Sequence, residues 1–314
     1  MTEQLPLTSA DLSFHEPTTD HSWWTETAWF TFDQPGRNLS ATFYPLFRRN
    51  LGICSLAVYV WDASAIEPWR IPYARFLWHL PFPTGDLREL EIAGLRYHCD
   101  EDFRRYRVRF HDEGRLDVDL TYEALREPWL ASKSERGGHY DLPCSVTGTV
   151  ILGDERIDVD CLGMHDRTWS VRPDDRKGNG TGYSFGNASG DDQFLVVANL
   201  NGNEGTTASG VFSGYLVRDG RAARLKDASR QVVERTDGAP SVVELGATDE
   251  LGRSLAVIGR ALNRFANHAT PGTFTWMSAF DWESDGLRYV GQDQENLNLD
   301  LVGPHFMSLE EELR

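Results

Sequence analysis

Residues 104–122 read RRYRVRFHDEGRLDVDLTY, and their alternation decides the fold. Apolar and polar side chains, many of the latter charged, alternate in both halves of this stretch, on either side of the break at Gly114. An extended chain sends successive side chains to opposite faces, so this pattern is typical of half-exposed β-strands. The stretch therefore predicts two strands, at 104–111 and 115–122.

Strand-like runs recur along the rest of the chain, and helical periodicity is nearly absent. The runs lie at 39–47, 53–61, 73–80, 144–152, 155–162, 193–200, 209–217, 221–226, 229–236, 240–248, 253–262, 272–282 and 286–291. Short strands separated by turn signals predict an all-β fold, an antiparallel barrel or sandwich. Only the tail, 308–314, has a helical pattern.

The length of 314 residues and a break at 126–143 predict two domains. The break opens with Glu127-Pro128 and contains a polar, glycine-rich run. We expect an N-terminal β domain over 1–135 and a C-terminal β domain over 136–314. The long polar segment 173–192 is typical of a lid or a binding loop, or else of a disordered segment.

Composition limits the classes of partner. The formal net charge of −17 disfavours nucleic acids and anionic membranes, because their phosphates would be repelled. No apolar run is long enough for a membrane-spanning helix, and the N-terminus has no secretion-signal pattern. The 4 cysteines show no metal-ligand or paired spacing, which favours a reducing cytoplasm. The 10 tryptophans suit either the walls of an apolar pocket or the core. The oligomeric state stays open.

The segment 163–172, GMHDRTWSVR, is unusually rich in ionisable groups for a strand end. In an extended chain, alternation places His165, Arg167 and Trp169 on one face and Asp166 on the other. A carboxyl group in apolar, Trp-lined surroundings stays protonated near neutral pH and can act as a general acid. The alternative is that this carboxylate is ionised and forms a salt bridge with a neighbouring arginine as a structural clamp.

A second candidate cluster lies on the last predicted hairpin. Asp281 and Tyr289 belong to neighbouring strands, and a carboxylate beside a phenol forms an acid–base couple. The alternative is the ordinary polarity of an edge strand.

Aromatic residues near the N-terminus form a third group. Glu26 lies among several large aromatic side chains, and is either buried with a partner or faces a cavity. Trp24, Trp61 and Trp78 are pocket walls or core residues. His139 and His165 have no ligand-spaced neighbours, so no metal centre is expected. Motifs for nucleotide binding and for known hydrolases are absent from the sequence.

The segment 163–172 resembles a motif of the lipocalin-like AttH/hydroxyneurosporene synthase (carotenoid hydratase) superfamily, in which a strand ends in Asp-Arg-x-Trp-Ser. Residues 166–170, DRTWS, match this form, and residues 183–185, YSF, take the place of the aromatic strand that follows the loop. The runs 26–32 and 50–62 look like the amino half of related two-domain bacterial proteins. His165 and Arg167 depart from a second form of the motif, Arg-Asp-His-Ser-Trp-Gly.

The resemblance implies two lipocalin-like β-barrel domains packed together, and hydrophobic isoprenoid or prenylated phenolic substrates. It also implies acid chemistry without a cofactor, in which an acid protonates an alkene and water or an internal nucleophile captures the cation. Carried onto this chain, Asp166 is the acid and Trp169 is the wall that faces the cation.

The sequence therefore supports two hypotheses. The first is a cofactor-independent hydratase, cyclase or isomerase acting on a terpenoid- or steroid-like alkene, with Asp166 as proton donor and His165, Tyr289 or Asp281 positioning or activating the nucleophile. The second is a non-catalytic, lipocalin-like carrier of a hydrophobic small molecule. Hydrolysis of a lipophilic ester is a third reading that no residue pair supports. The substrate-binding residues expected are Trp169, Arg167, Tyr183, Phe185, Trp24, Glu26, Trp61, Trp78 and Trp282.

Overall fold

The computed structural model describes residues 5–173, 180–200, 207–209, 211–270, 272–284 and 286–298. Within these ranges the chain forms 21 strands and three short 3₁₀ helices, at Ser9–Leu12, Pro35–Arg37 and Arg49–Leu51. The predicted helical tail at 308–314 lies outside the described residues. No helix in the described part of the chain is long and apolar enough to cross a membrane.

The strands follow one another along the chain with these bounds: β1 Trp24–Gln34, β2 Leu39–Arg48, β3 Ile53–Trp61, β4 Tyr73–Pro81, β5 Glu89–Ile92, β6 Leu95–Glu101, β7 Arg105–Asp112, β8 Leu116–Ala124, β9 Trp129–Ser134, β10 Gly137–Leu152, β11 Glu155–Val171, β12 Gly180–Asn187, β13 Gln193–Leu200, β14 Thr207–Ser209, β15 Val211–Arg218, β16 Arg221–Thr236, β17 Ala239–Asp249, β18 Ser254–Ala261, β19 Phe265–Thr270, β20 Thr273–Ser284 and β21 Leu287–Asn298.

Contacts divide the chain into two compact units. The first contains Met1–Gln34, Ser40–Val60 and Pro72–Pro173, and the second contains Pro35–Leu39, Trp61–Ile71 and Asp174–Arg314. The predicted break at 126–143 contains β9 and the start of β10, which pair with each other in one sheet. The expected boundary at 135/136 therefore falls inside a pair of strands, whereas the contact division comes after Pro173.

The first sheet is antiparallel and has the order β4-β3-β2-β1-β11-β10-β8-β7-β6-β5, with β9 paired to β10. Its two longest strands, β10 and β11, form a hairpin in which Leu152 pairs with Glu155. Gly153 in the turn has a φ of 59°, a left-handed conformation that glycine adopts without steric cost. β1 pairs with the other edge of β11, so the segment 163–171 lies in the middle of the sheet.

The second sheet closes into an eight-stranded antiparallel barrel, β16-β15-β13-β12-β21-β20-β18-β17, because β17 pairs back onto β16. Buried apolar side chains from seven of the eight strands, all but β12, fill its interior, including Phe194, Trp276, Phe280 and Trp282. The predicted all-β, two-domain class with antiparallel barrel-like sheets is confirmed. All 4 cysteines lie in the described residues, and none forms a disulfide.

An ion network also occupies the barrel interior. Arg230 is fully buried and forms two hydrogen bonds with Asp293, of 2.9 and 2.6 Å. Glu295 accepts from both Arg230 and Arg235. Gly182 leaves room for the arginine, since a Cβ there would lie 2.7 Å from its Cδ. The charges are paired, as burial in low dielectric requires.

Candidate functional site

The pairing of β1, β11 and β10 determines which side chains share a face. Asp166 lies directly opposite Asp141 on β10 and Trp29 on β1, and Thr168 lies opposite His139. Directly paired residues of antiparallel strands point to the same side of the sheet. These five residues therefore form a cluster on one face, which we call the Asp166 face.

The other side of the same strands carries a different set. His165, Arg167 and Trp169 pair with Phe30, Ala28 and Glu26 of β1, respectively. The predicted separation of His165, Arg167 and Trp169 from Asp166 by strand alternation is confirmed.

His139 is held at both ring nitrogens. Nδ1 lies 2.7 Å from the Thr168 hydroxyl, and Nε2 lies 3.1 Å from Asp141 Oδ1. Burial acts to lower the pKa of His139, but the charge and hydrogen bond of Asp141, with the charge of Asp166, outweigh it and raise the pKa to about 9. The ring is therefore an imidazolium at neutral pH, and both nitrogens donate hydrogen bonds.

The Asp166 carboxyl keeps its proton to a higher pH than an ordinary aspartate. Its carboxyl is half-buried, and Oδ1 is buried without a hydrogen-bond partner among the residues that the structure describes. Burial above all raises the pKa of Asp166 to about 7; the negative charge of Asp141 acts in the same direction, and the positive charges of His139, Arg172 and Arg167 act against it. At neutral pH about half of the molecules carry the proton.

The geometry contradicts the structural clamp, in which Asp166 would form a salt bridge with a neighbouring arginine. Arg167 points to the opposite face, where its guanidinium lies 3.2 Å from Glu26 Oε2, and both side chains are fully buried. Within the described ranges Asp166 forms no ion pair with Arg167 or Arg172. Arg172 acts on Asp166 through its charge alone.

The same cluster could hold a metal ion. His139, Asp141 and Asp166 each offer one ligand atom, and these atoms lie within 4.8 Å of one another. The expectation that His139 has no ligand-spaced neighbour is wrong, because residues i and i+2 of a strand share a face. The His-x-Asp spacing is the signal for this pair in the sequence, and the prediction of a linker over 126–143 hides it. A metal would have to replace one of the two hydrogen bonds of the His139 ring.

The face of β11 opposite the Asp166 face determines the surroundings of Glu26 and Trp169. Glu26 accepts hydrogen bonds from Arg167 and from His15, so of the two alternatives, burial with a partner is correct. His15 also stacks on Trp169 with ring centroids 4.3 Å apart. Trp169 and Trp24 lie on this face, so neither indole lies on the Asp166 face. Trp29, which pairs with Asp166, is the indole that does.

His165 is a buried, neutral histidine. Burial lowers its pKa to about 3, and the nearby Arg167 charge acts in the same direction, against the hydrogen bond to the Trp29 carbonyl. Phe30 stacks on the ring at 4.1 Å, and the Tyr140 hydroxyl lies 3.4 Å from Nε2. His165 is therefore part of the aromatic core of the first unit and lies on the face opposite Asp166.

Asp281 and Tyr289 do not form the expected couple. Asp281 pairs with Val290, and Tyr289 pairs with Trp282, so the two side chains point to opposite faces of the barrel wall. Tyr289 is buried in the barrel core, where Arg218 donates a 2.6 Å hydrogen bond to its hydroxyl.

The Asp281 carboxylate, at the outer face, forms an ion pair with Arg288.

Three other predicted pocket residues also belong to the second unit. Trp282 is fully buried in the barrel core, stacked on Phe280 at 4.9 Å. Tyr183 and Phe185 lie on the outer side of β12 with their rings 6.0 Å apart. These positions assign Trp282 to the core.

The two remaining tryptophans differ in burial. Trp61 groups with the second unit and is fully buried; its indole N–H donates a 2.9 Å hydrogen bond to Asn263, and its ring stacks on Phe265. Trp78 lies on β4, an edge strand of the first sheet, and is 40% exposed. Trp61 therefore has a structural role in its own unit, and Trp78 a surface position.

Comparison with known proteins places the chain in a family. A family model described as a domain of unknown function, DUF7064, matches residues 8–293. The chain belongs to the DUF7064 family. A search of curated protein sequences gives no match.

Solved structures similar to this DUF7064 protein include one from Nitrosomonas europaea assigned to AttH, with a TM-score of 0.67 and 14% identity over 94% of this chain and 97% of the other. Kievitone hydratase from Nectria haematococca has a TM-score of 0.57 and 10% identity, over 94% and 93% of the two chains. CghA bound to Sch210972 has a TM-score of 0.54 and 10% identity, over 88% and 89%. These neighbours confirm, at the level of the fold, the resemblance to the lipocalin-like AttH superfamily.

Proposed function

We propose that this protein is a cofactor-independent enzyme of the hydratase, cyclase or isomerase type that protonates a carbon–carbon double bond of a hydrophobic, terpenoid- or steroid-like substrate, with Asp166 as the proton donor. The observation that carries the proposal is the Asp166 carboxyl, which is half-buried, lacks a hydrogen-bond partner at Oδ1 among the described residues, and has a pKa of about 7. An acid of that strength is still protonated in about half of the molecules at neutral pH and readily releases the proton.

The surroundings of Asp166 fit this chemistry. The indole of Trp29 is the neighbour on the β1 side, and its N–H is already used in a 2.6 Å hydrogen bond to Thr42. Aromatic faces attract cations, so under this proposal Trp29 takes the role of the wall that faces the cation, which the family resemblance implied for Trp169.

The proton balance closes with no reactant other than the substrate and, in a hydration, water. The O–H bond of Asp166 breaks while a C–H bond forms at one alkene carbon, leaving a carboxylate and a carbocation. In a hydration, water attacks the cation and its surplus proton returns to Asp166. In a cyclisation or isomerisation, the cation loses a proton from a neighbouring carbon to the same carboxylate. Either route restores the starting acid.

Three further considerations support an enzyme over the carrier alternative. One structural neighbour is named a hydratase. A lipocalin-like carrier would need space for its ligand, and the interior of the eight-stranded barrel is filled by packed side chains and the Arg230 ion network. A carrier also gains nothing from an unpaired carboxyl group, which is costly to bury.

The test is deuterium incorporation from D2O. The protein is incubated in D2O with a panel of prenylated phenols, linear terpenoids and sterols, and mass spectrometry detects substrates or products that gain deuterium at carbon. We expect incorporation with the wild type and its loss by at least about 100-fold in Asp166→Asn, since a general acid contributes about 10²–10⁴ to the rate.

The matched control is Asp160→Asn, the same change at an exposed position of the same strand. It should keep wild-type turnover. Deuteration at the wild-type rate by a folded Asp166→Asn protein would remove Asp166 as the donor. Saturable binding of a panel compound without any deuteration or new product would favour the carrier.

A further inference from the structure

We propose that His139, Asp141 and Asp166 form a binding site for one divalent transition-metal ion of the zinc class, and that an ion bound there acts as an inhibitor. The binding step goes beyond the proposed function. The inhibition rests on the proposed function, because a carboxylate that ligates a metal ion cannot carry the proton that Asp166 would donate.

Strand register brings the three residues together. His139 and Asp141 are residues i and i+2 of β10 and share a face, and Asp166 lies directly opposite Asp141 on β11. One ligand atom from each residue lies within 4.8 Å of the other two. The register of β10 on β11 is unbroken from Gly138 to Leu152, so the backbone holds the three side chains in place.

The distances in the cluster are close to those around a bound zinc ion. Zinc lies about 2.0–2.2 Å from an imidazole nitrogen or a carboxylate oxygen, which places two ligand atoms of a tetrahedral site about 3.4 Å apart. His139 Nε2 and Asp141 Oδ1 are 3.1 Å apart. The ion would take the place of the proton between these two atoms, which leaves to solvent, and Asp166 would provide the third ligand.

Two further features of the cluster point to a cation. The Thr168 hydroxyl lies 2.7 Å from His139 Nδ1, the ring nitrogen that would not bind the metal. Ligating histidines almost always have such a partner at the other nitrogen, which fixes the orientation of the ring. Asp166 Oδ1 is buried and has no hydrogen-bond partner among the described residues, so this oxygen is available as a ligand.

The types of ligand select the class of ion. Imidazole suits zinc, copper, iron and nickel, whereas magnesium and calcium prefer sites built from oxygen ligands. Two carboxylates balance the charge of a divalent ion, and three protein ligands leave a fourth position for water. The His139 side chain is 26% exposed, which gives the ion a path from solvent.

A surface cluster of the same residue types provides the matched control. His98 lies 3.7 Å from Glu89 and 3.3 Å from Asp100, and all three side chains are exposed. Zinc that binds to any histidine flanked by carboxylates would use this cluster as well. Zinc that needs the geometry of β10 and β11 would not.

The test measures Zn²⁺ affinity in chelator-treated protein, by competition with a chromogenic chelator in excess Mg²⁺. We expect one Zn²⁺ per wild-type chain. Affinity should fall by at least about 100-fold in His139→Gln and in Asp141→Asn, because losing only the hydrogen-bond partner of a ligand costs about 10–100-fold. Thr168→Val, which removes that partner from His139, should fall within this lower range. His98→Gln should bind as the wild type does. Unchanged affinity in folded His139→Gln or Asp141→Asn would overturn the inference.

Zinc-soaked crystals of the wild type keep the test decisive if the variants do not fold. An anomalous-scattering peak at the zinc absorption edge is expected between the side chains of His139, Asp141 and Asp166. The absence of such a peak, or a peak at His98 alone, would overturn the site.

Deuterium incorporation measured with and without Zn²⁺ separates this inference from the proposed function. Zinc bound at the cluster should stop deuteration, and bound zinc that leaves the rate unchanged would overturn the inhibition. If Asp166→Asn loses deuteration but the wild type binds no zinc, the proposed function stands and the metal site is wrong. If zinc binds at the cluster and the wild type deuterates no compound, the metal site stands and the proposed function is wrong.

Discussion

Replacing Asp166 by asparagine should make the protein more stable at alkaline pH while removing the proposed activity. Asparagine has the shape of the protonated acid and cannot ionise. In the folded wild type, burial raises the pKa of Asp166 from 3.8 to about 7, so folding opposes ionisation. Well below the unfolded pKa of 3.8 the carboxyl is protonated whether the chain is folded or unfolded, and wild type and variant should then be equally stable.

The difference should develop between pH 4 and pH 7. In this window the unfolded chain releases the Asp166 proton and the folded chain retains it, so wild-type stability falls as the pH rises. One pKa unit corresponds to about 1.4 kcal/mol, which gives an upper limit of about 4 kcal/mol for the pKa values of 3.8 and about 7. Partial exposure of the carboxyl reduces this, and we expect Asp166→Asn to be more stable than the wild type by about 2–4 kcal/mol at pH 8.

Urea denaturation at pH 4, 5, 6, 7 and 8, followed by tryptophan fluorescence, measures the difference. The difference in free energy of unfolding between Asp166→Asn and wild type should grow through pH 5 and 6 and stop growing above pH 7. Asp160→Asn, on the same strand but exposed, should stay within about 0.5 kcal/mol of wild type at every pH. A gap that does not change with pH, or a variant less stable than wild type at pH 8, would refute the assignment of a raised pKa to Asp166.

Three further predictions concern the buried groups. Arg167→Met should destabilise the fold by about 3–5 kcal/mol in urea titrations, because Glu26 would lose its guanidinium partner in the core, and adding Glu26→Gln should recover part of that loss. His165 should show no protonation between pH 5 and pH 9 in ¹⁵N imidazole spectra, because burial lowers its pKa to about 3. Gly182→Ala should lower stability by about 1–3 kcal/mol, since the new Cβ would lie 2.7 Å from Arg230 Cδ, and a thermal unfolding curve indistinguishable from wild type would contradict this.

The fold was largely predictable because alternation is a local property. The runs at 39–47, 53–61 and 193–200 match β2, β3 and β13 within one residue at each end. The prediction failed where the local pattern did not show the pairing. Gly137-Gly138, read as part of a linker, begins β10, one of the longest strands, because the strand pairs with β11 from Gly138 to Leu152.

The site was predictable only in part. Strand alternation correctly separated Asp166 from His165 and Arg167, because that separation depends on neighbours in sequence. The partners of Asp166 depend on register, which places Asp141 and Trp29 beside it and Trp169 on the other side. Register between strands that are distant in sequence is not encoded in a local pattern, and neither His139 nor Trp29 was therefore assigned to the site.

The two faces of β11 differ in how their charges are balanced, and this difference links stability to function. On one face Arg167 has Glu26, and Glu26 has His15, so the buried charges have partners. On the other face Asp166 has a raised pKa and a buried oxygen without a hydrogen-bond partner among the described residues, an arrangement that weakens the folded state above pH 4. An asparagine would fill the same space without that penalty. Under the proposed function, this penalty accompanies the need for a transferable proton at this position, and a carrier would have no such need.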